Sequence, residues 1–63
     1  MNLKKDHKYM SINHRDYVIM KGELYWNDEY GRFMSNKLNA YYYSIVQAKL
    51  VQASVGGRIV KIY

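Results

Sequence analysis

Residues 44–57 read Ser44-Ile45-Val46-Gln47-Ala48-Lys49-Leu50-Val51-Gln52-Ala53-Ser54-Val55-Gly56-Gly57. This run predicts a helix with both ends marked. Ser44 is a good N-cap, because its hydroxyl can accept from a backbone N–H that has no partner within the helix. Ile45 to Val55 then gives about three turns. Gly56 ends the helix, free to take the left-handed conformation just past its last residue. At 100° per residue, Ala48, Val51 and Val55 share one side. Val46, Leu50 and Ala53 share nearly the opposite side. A helix that lies on a single sheet needs one apolar stripe. This one has two. Either a curved sheet and the N-terminal arm cover both, or one stripe faces the sheet and the other faces a partner, including the same helix in a second copy.

The sequence before the helix reads as strands and turns. Tyr17-Val18-Ile19-Met20-Lys21 is short, apolar and β-branched at its centre, as strands are. Gly22 supplies the positive φ of a tight hairpin turn at Lys21-Gly22-Glu23. In the next strand, Glu23 to Asn27, Leu24 and Trp26 point one way while Glu23 and Tyr25 point the other. Asn27-Asp28-Glu29-Tyr30-Gly31 is a polar turn closed by glycine. Arg32-Phe33-Met34 returns as a third strand. Ser35-Asn36-Lys37 is another turn, and Leu38 to Tyr43 is extended or irregular. After the helix, Arg58-Ile59-Val60-Lys61-Ile62 is the last strand. The order is β-β-β-α-β. It predicts an α+β domain over residues 16–63, with one helix packed on one face of an antiparallel sheet of three to four strands. Residues 1–15 lack a periodic stripe and read as a loosely held arm, with a short extended piece at Tyr9–Ile12.

Composition limits what such a domain can do. The chain has 63 residues, enough for one domain. A domain this small buries only about 60% of the surface its unfolded chain exposes. It has no cysteine, so neither a disulfide nor a thiolate metal site is available. With 49% hydrophobic residues, it carries more apolar surface than a four-element sandwich easily hides. The net charge is +5, spread as +2 over residues 1–16 and +3 over the rest. That balance favours acidic partners, but the absence of a basic block suits a solubility role equally well. Met1 to Met10 has basic residues without an apolar run behind them, so no secretion signal is read there. No stretch reaches the roughly 18 apolar residues of a membrane span. These features favour a cytoplasmic protein. Ile, Lys, Asn and Tyr make up 25 of the 63 residues, which points to a low-GC genome.

Two segments resemble a known group. Tyr17-Val18-Ile19-Met20-Lys21-Gly22-Glu23-Leu24-Tyr25-Trp26 is similar to the opening of small orphan proteins of tailed bacteriophages and prophages. Leu38-Asn39-Ala40-Tyr41-Tyr42-Tyr43-Ser44, then Gln47-Ala48, then Gly56-Gly57-Arg58-Ile59-Val60, resembles their second half. The likeness covers residues 17–62 and rests on turn and packing signals. It implies a β-β-α-β fold in a phage setting, with action in the cytoplasm of an infected or lysogenic bacterium. Characterised members of that kind bind and inhibit host proteins, anti-restriction and anti-CRISPR proteins among them. In that likeness, Ala48, Val51 and Val55 face the sheet, and Val46, Leu50 and Ala53 face outward.

Catalytic chemistry finds little purchase. His7 and His14, with Asp6 and Asp16 nearby, match no metal-ligand spacing, so no metal is expected. Asp28-Glu29 lies on a turn, without the buried surroundings that tune a carboxylate pair. The serines lack a nucleophile elbow, and Gly56-Gly57 ends a helix where phosphate loops begin one. The reading is therefore a protein that is not an enzyme and needs no cofactor. Its expected partner contact is Val46, Leu50 and Ala53 with Tyr41, Tyr42 and Tyr43. Tyrosine suits such a surface, having an apolar face and a polar tip. The alternative is a small nucleic-acid binder. There Tyr25, Tyr30, Arg32 and Phe33 would stack on bases, while Lys21 and Lys61 approach phosphates. No ribonucleoprotein octapeptide supports it.

Overall fold

The computed structural model describes residues 14–62. The chain runs β1 (Tyr17–Lys21), β2 (Leu24–Asn27), β3 (Arg32–Met34), a 3-10 turn (Lys37–Asn39), α1 (Ile45–Val55) and β4 (Arg58–Lys61). The strands form one antiparallel sheet in the order β3-β2-β1-β4. The helix lies against β1 and β4. This is the α+β, two-layer architecture that the sequence predicts. The arm expected at residues 1–15, including Tyr9–Ile12, falls outside the described residues up to 13. His14 and Arg15 are exposed and lie in no strand.

The β1–β2 hairpin closes over Gly22 and Glu23, since Lys21 pairs with Leu24. Gly22 has φ +59° and Glu23 has no positive φ, the signature of a type II′ turn. Only two residue pairs join these strands, Met20 with Tyr25 and Lys21 with Leu24. Beyond them the strands part, and residues 41–43 enter the gap. Tyr41 N donates to Trp26 O at 3.1 Å. Tyr17 and Tyr43 exchange both backbone bonds, at 3.0 and 2.7 Å. A segment expected to be merely extended or irregular therefore acts as a splint between two strands. It also contains the 3-10 turn, held because the Asn36 side chain accepts from Leu38 N at 2.9 Å. Asn27 braces the same region. Its Nδ2 donates to Asn39 O at 2.6 Å, and its Oδ1 accepts from Tyr30 N at 2.7 Å.

The helix begins and ends as its sequence dictates. Ser44 Oγ accepts from Gln47 N at 3.2 Å. At the other end Gly56 has φ +83° and ψ −166°. This corrects the left-handed helical cap expected there: the conformation is a different one, accessible essentially to glycine alone. Gly57 is constrained further. Its φ is +85°, and a Cβ would lie 2.6 Å from Met20 O. The backbone passes this close to β1 because β4 must start beside it.

The core lies between sheet and helix. Ile19, Tyr43 and Ala48 are buried, with Tyr17, Trp26, Phe33, Val51, Val55 and Ile59 packed around them. Trp26 and Phe33 meet edge to face at 5.2 Å. Strand alternation puts Val18, Met20, Tyr25, Met34 and Val60 on the reverse face. Val18 is fully buried there.

Candidate functional site

The two helix stripes have opposite surroundings. Ala48 is fully buried, and Val51 and Val55 pack into the core. On the other side Val46 is 55% exposed and Leu50 is 70% exposed. Ala53 is exposed beside them. Lys49 and Gln47 are exposed on the flanks. The outward stripe is thus a shallow apolar strip with polar borders, on a helix capped by Ser44 and packed on the core by its other stripe.

The three consecutive tyrosines do not act together. Tyr41 is 36% exposed and its ring rests on Tyr43 at 6.3 Å. Tyr42 is half-buried and alternates to the reverse face. Tyr43 corrects the expectation of a partner contact: it is a core residue, 7% exposed. The bridge to Tyr17 turns its side chain under the helix, so it cannot reach a partner. Its hydroxyl is buried without a hydrogen bond. Burial pushes the phenol up from 10.0 to about 12, with the negative charge of Asp28 adding to the shift. Trp26 Nε1 donates to Asp28 Oδ1 at 3.3 Å.

The residues expected to bind nucleic acid are divided between the faces. Phe33 pairs with Trp26 on the helix side and is half-buried in the core. Lys21 is occupied as well. Its ammonium lies 4.9 Å from the Phe33 ring centre and 3.4 Å from Val55 O, at the negative end of the helix. Lys61 sits opposite Tyr17 on β4, also on the helix side. Tyr25 and Arg32 belong to the reverse face. Tyr30 is in the turn, under the Arg32 guanidinium at 5.9 Å. The set therefore does not assemble the single stacking surface expected of it, because period-two alternation separates its members.

His14 Nδ1 lies 3.0 Å from Asp16 Oδ2, with His14 70% exposed. His7 and Asp6 are outside the described residues. Among the described residues, no three His, Asp or Glu side chains gather at one point. Asp28 and Glu29 are both exposed on the β2–β3 turn.

One further exposed residue lies outside the expected sites. Leu38 is 91% exposed at the crest of the 3-10 turn. The turn is braced by Asn36 and by Ala40 N donating to Lys37 O at 3.0 Å, so this leucine is presented on a fixed backbone. Its flanks, Lys37 and Asn39, are the sequence signal: a lone leucine between polar turn residues has no core neighbour within reach.

Comparison with protein-family models, with curated proteins and with solved structures finds no match to this chain. No helix among the described residues is long and apolar enough to cross a membrane.

Proposed function

We propose that this chain is a non-catalytic protein-binding module, encoded by a bacteriophage or prophage and acting in the host cytoplasm on a host enzyme or defence complex. One observation carries the binding part. The helix fills the core with one stripe and leaves a second apolar stripe, Val46 and Leu50, in solvent. Isolated exposed apolar residues are ordinary, but a valine and a leucine aligned one turn apart on a capped helix form a surface of the kind a partner groove accepts. Tyr41, at the edge of the splint, can widen the contact. The phage setting rests on the resemblance of residues 17–62, and anti-restriction or anti-CRISPR action is the class it implies.

The test has two arms. The tagged chain and a Leu50→Glu variant are used to capture proteins from a low-GC bacterial lysate. Both are also expressed in cells carrying a restriction or CRISPR system, and phage plating is counted. The wild type should retain a specific protein and raise plating efficiency. The folded variant should do neither. Equal behaviour of the two chains removes the helix stripe from the reading.

A further inference from the structure

The two open edges of the sheet differ, and the difference identifies a second binding element. Ile62 N donates to Asp16 O at 2.7 Å, which makes Asp16 and Ile62 a hydrogen-bonded pair. Antiparallel pairs alternate between bonded and non-bonded. Val18–Val60 and Met20–Arg58 are then bonded pairs, and Tyr17–Lys61 and Ile19–Ile59 are not. The bonds from Tyr17 to Tyr43, on the side away from β4, agree with this phase. Ile59 and Lys61 therefore turn their N–H and C=O groups outward. At the opposite edge, β3 has three residues. Trp26 gives its carbonyl to Tyr41, so only Phe33 turns its backbone groups outward there. Among the described residues, β4 is the edge with two adjacent bonding positions.

We propose that β4 accepts an extended, acidic segment of a partner protein as a fifth, antiparallel strand. Charge selects this occupant. Arg58 and Lys61 are the first and last residues of the strand, and it contains no acid. They lie on opposite faces: Lys61 on the helix side and Arg58 on the reverse. A segment paired across β4 meets Lys61, Val60, Ile59 and Arg58 in turn. Acid–apolar–apolar–acid is the complementary pattern, since opposite charges across a strand pair stabilise it. A second copy fits poorly. The antiparallel register that bonds both outward residues sets Ile59 against Lys61 of the copy, and so brings the two Lys61 side chains diagonally together. Each copy also carries +5. Residues 1–13 are basic too, with Lys4, Lys5 and Lys8 against Asp6. Strand addition of this type draws affinity from main-chain bonds and specificity from alternate side chains.

The proposal shares with the function above only the class of partner, and it uses a separate surface. The full chain, labelled with nitrogen-15, is titrated with the peptide Ser-Glu-Val-Val-Glu-Ser and with Ser-Lys-Val-Val-Lys-Ser. The acidic peptide should give saturable shifts centred on the Ile59 and Lys61 amides, and the basic one should not. Lys61→Glu should weaken the acidic peptide by about tenfold. Arg58→Glu/Lys61→Glu should reverse the preference. The single variant serves if loss of the Arg58 bond to Gly22 O (3.2 Å) loosens the hairpin. Leu50→Glu should leave peptide binding unchanged, so a failed helix contact and a failed strand contact are separable. Equal binding of both peptides, shifts centred on α1, a dimer formed through β4, or no saturation with the acidic peptide would each overturn the proposal.

Discussion

The two sides of α1 have nearly the same apolar content and opposite fates. Ala48, Val51 and Val55 are in the core; Val46, Leu50 and Ala53 are in water. Side-chain hydrophobicity does not distinguish them, and Leu50 is the largest residue of either stripe. The difference is set at the helix ends. Ser44 fixes where the helix starts, and the Gly56-Gly57 conformation fixes how it turns into β4. Between those anchors only one stripe can meet Ile19 and Ile59. The small residue, Ala48, is the one helix residue fully buried against the core, where a larger side chain would push the layers apart.

That comparison can be broken most severely from the inner side. Ala48→Asp would place an unpaired charge in the tightest part of the core, at a cost of about 4 kcal/mol or more. For a domain of this size, circular dichroism should show an unfolded chain. Gly57→Ala attacks the geometry that aims the stripes. It combines an unfavourable φ with a Cβ at 2.6 Å from Met20 O, and should cost about 2–3 kcal/mol in urea denaturation.

Tyr43 sharpens the comparison through pH. Its phenol is harder to ionise in the folded chain than in the unfolded one. The unfolded chain therefore releases that proton first, and stability falls as pH rises from 10 toward 12. Below pH 10 this contribution is fully present. Urea midpoints at pH 8 and pH 11 should show the wild type losing stability relative to Tyr43→Phe. At neutral pH the Phe variant should be as stable as wild type or more so, because the buried hydroxyl has no bond to lose. The smallest effect is expected on the outer stripe. Leu50→Glu should change stability by no more than about 0.5 kcal/mol, measured by the same melts. A larger loss would mean that this stripe, too, is core.

The sequence made the local signals legible. Ser44, Gly22 and Gly31 each act within a few residues, and each sits where its chemistry predicted; Gly56-Gly57 ends the helix as expected, though in a different conformation. The two stripes were visible because helical periodicity is also local. What the sequence did not reveal is non-local. Tyr41, Tyr42 and Tyr43 look like one aromatic patch when read in order. Their separation depends on which strand accepts the segment, and that follows from the early parting of β1 and β2. The nucleic-acid set is divided between the two faces for a related reason. Tyr25 and Phe33 are both aromatic and lie on adjacent strands, yet their registers place them on opposite faces. The tight fit at Gly57 depends on the approach of Met20, thirty-seven residues earlier in the chain.

The splint has a consequence for how the chain acquires its shape. The first hairpin holds two residue pairs and is completed only when residues 41–43 arrive. Its outer half is thus a three-segment structure assembled across sequence separations of 15 and 26 residues, from Trp26 to Tyr41 and from Tyr17 to Tyr43. During synthesis, β1 and β2 can meet at their turn but cannot finish their sheet until the tyrosines have left the ribosome. Loop closure, not hairpin zipping, should then limit the folding rate. Lengthening the connection at Ser35, outside the braced 3-10 turn, would test this by slowing folding more than it alters stability.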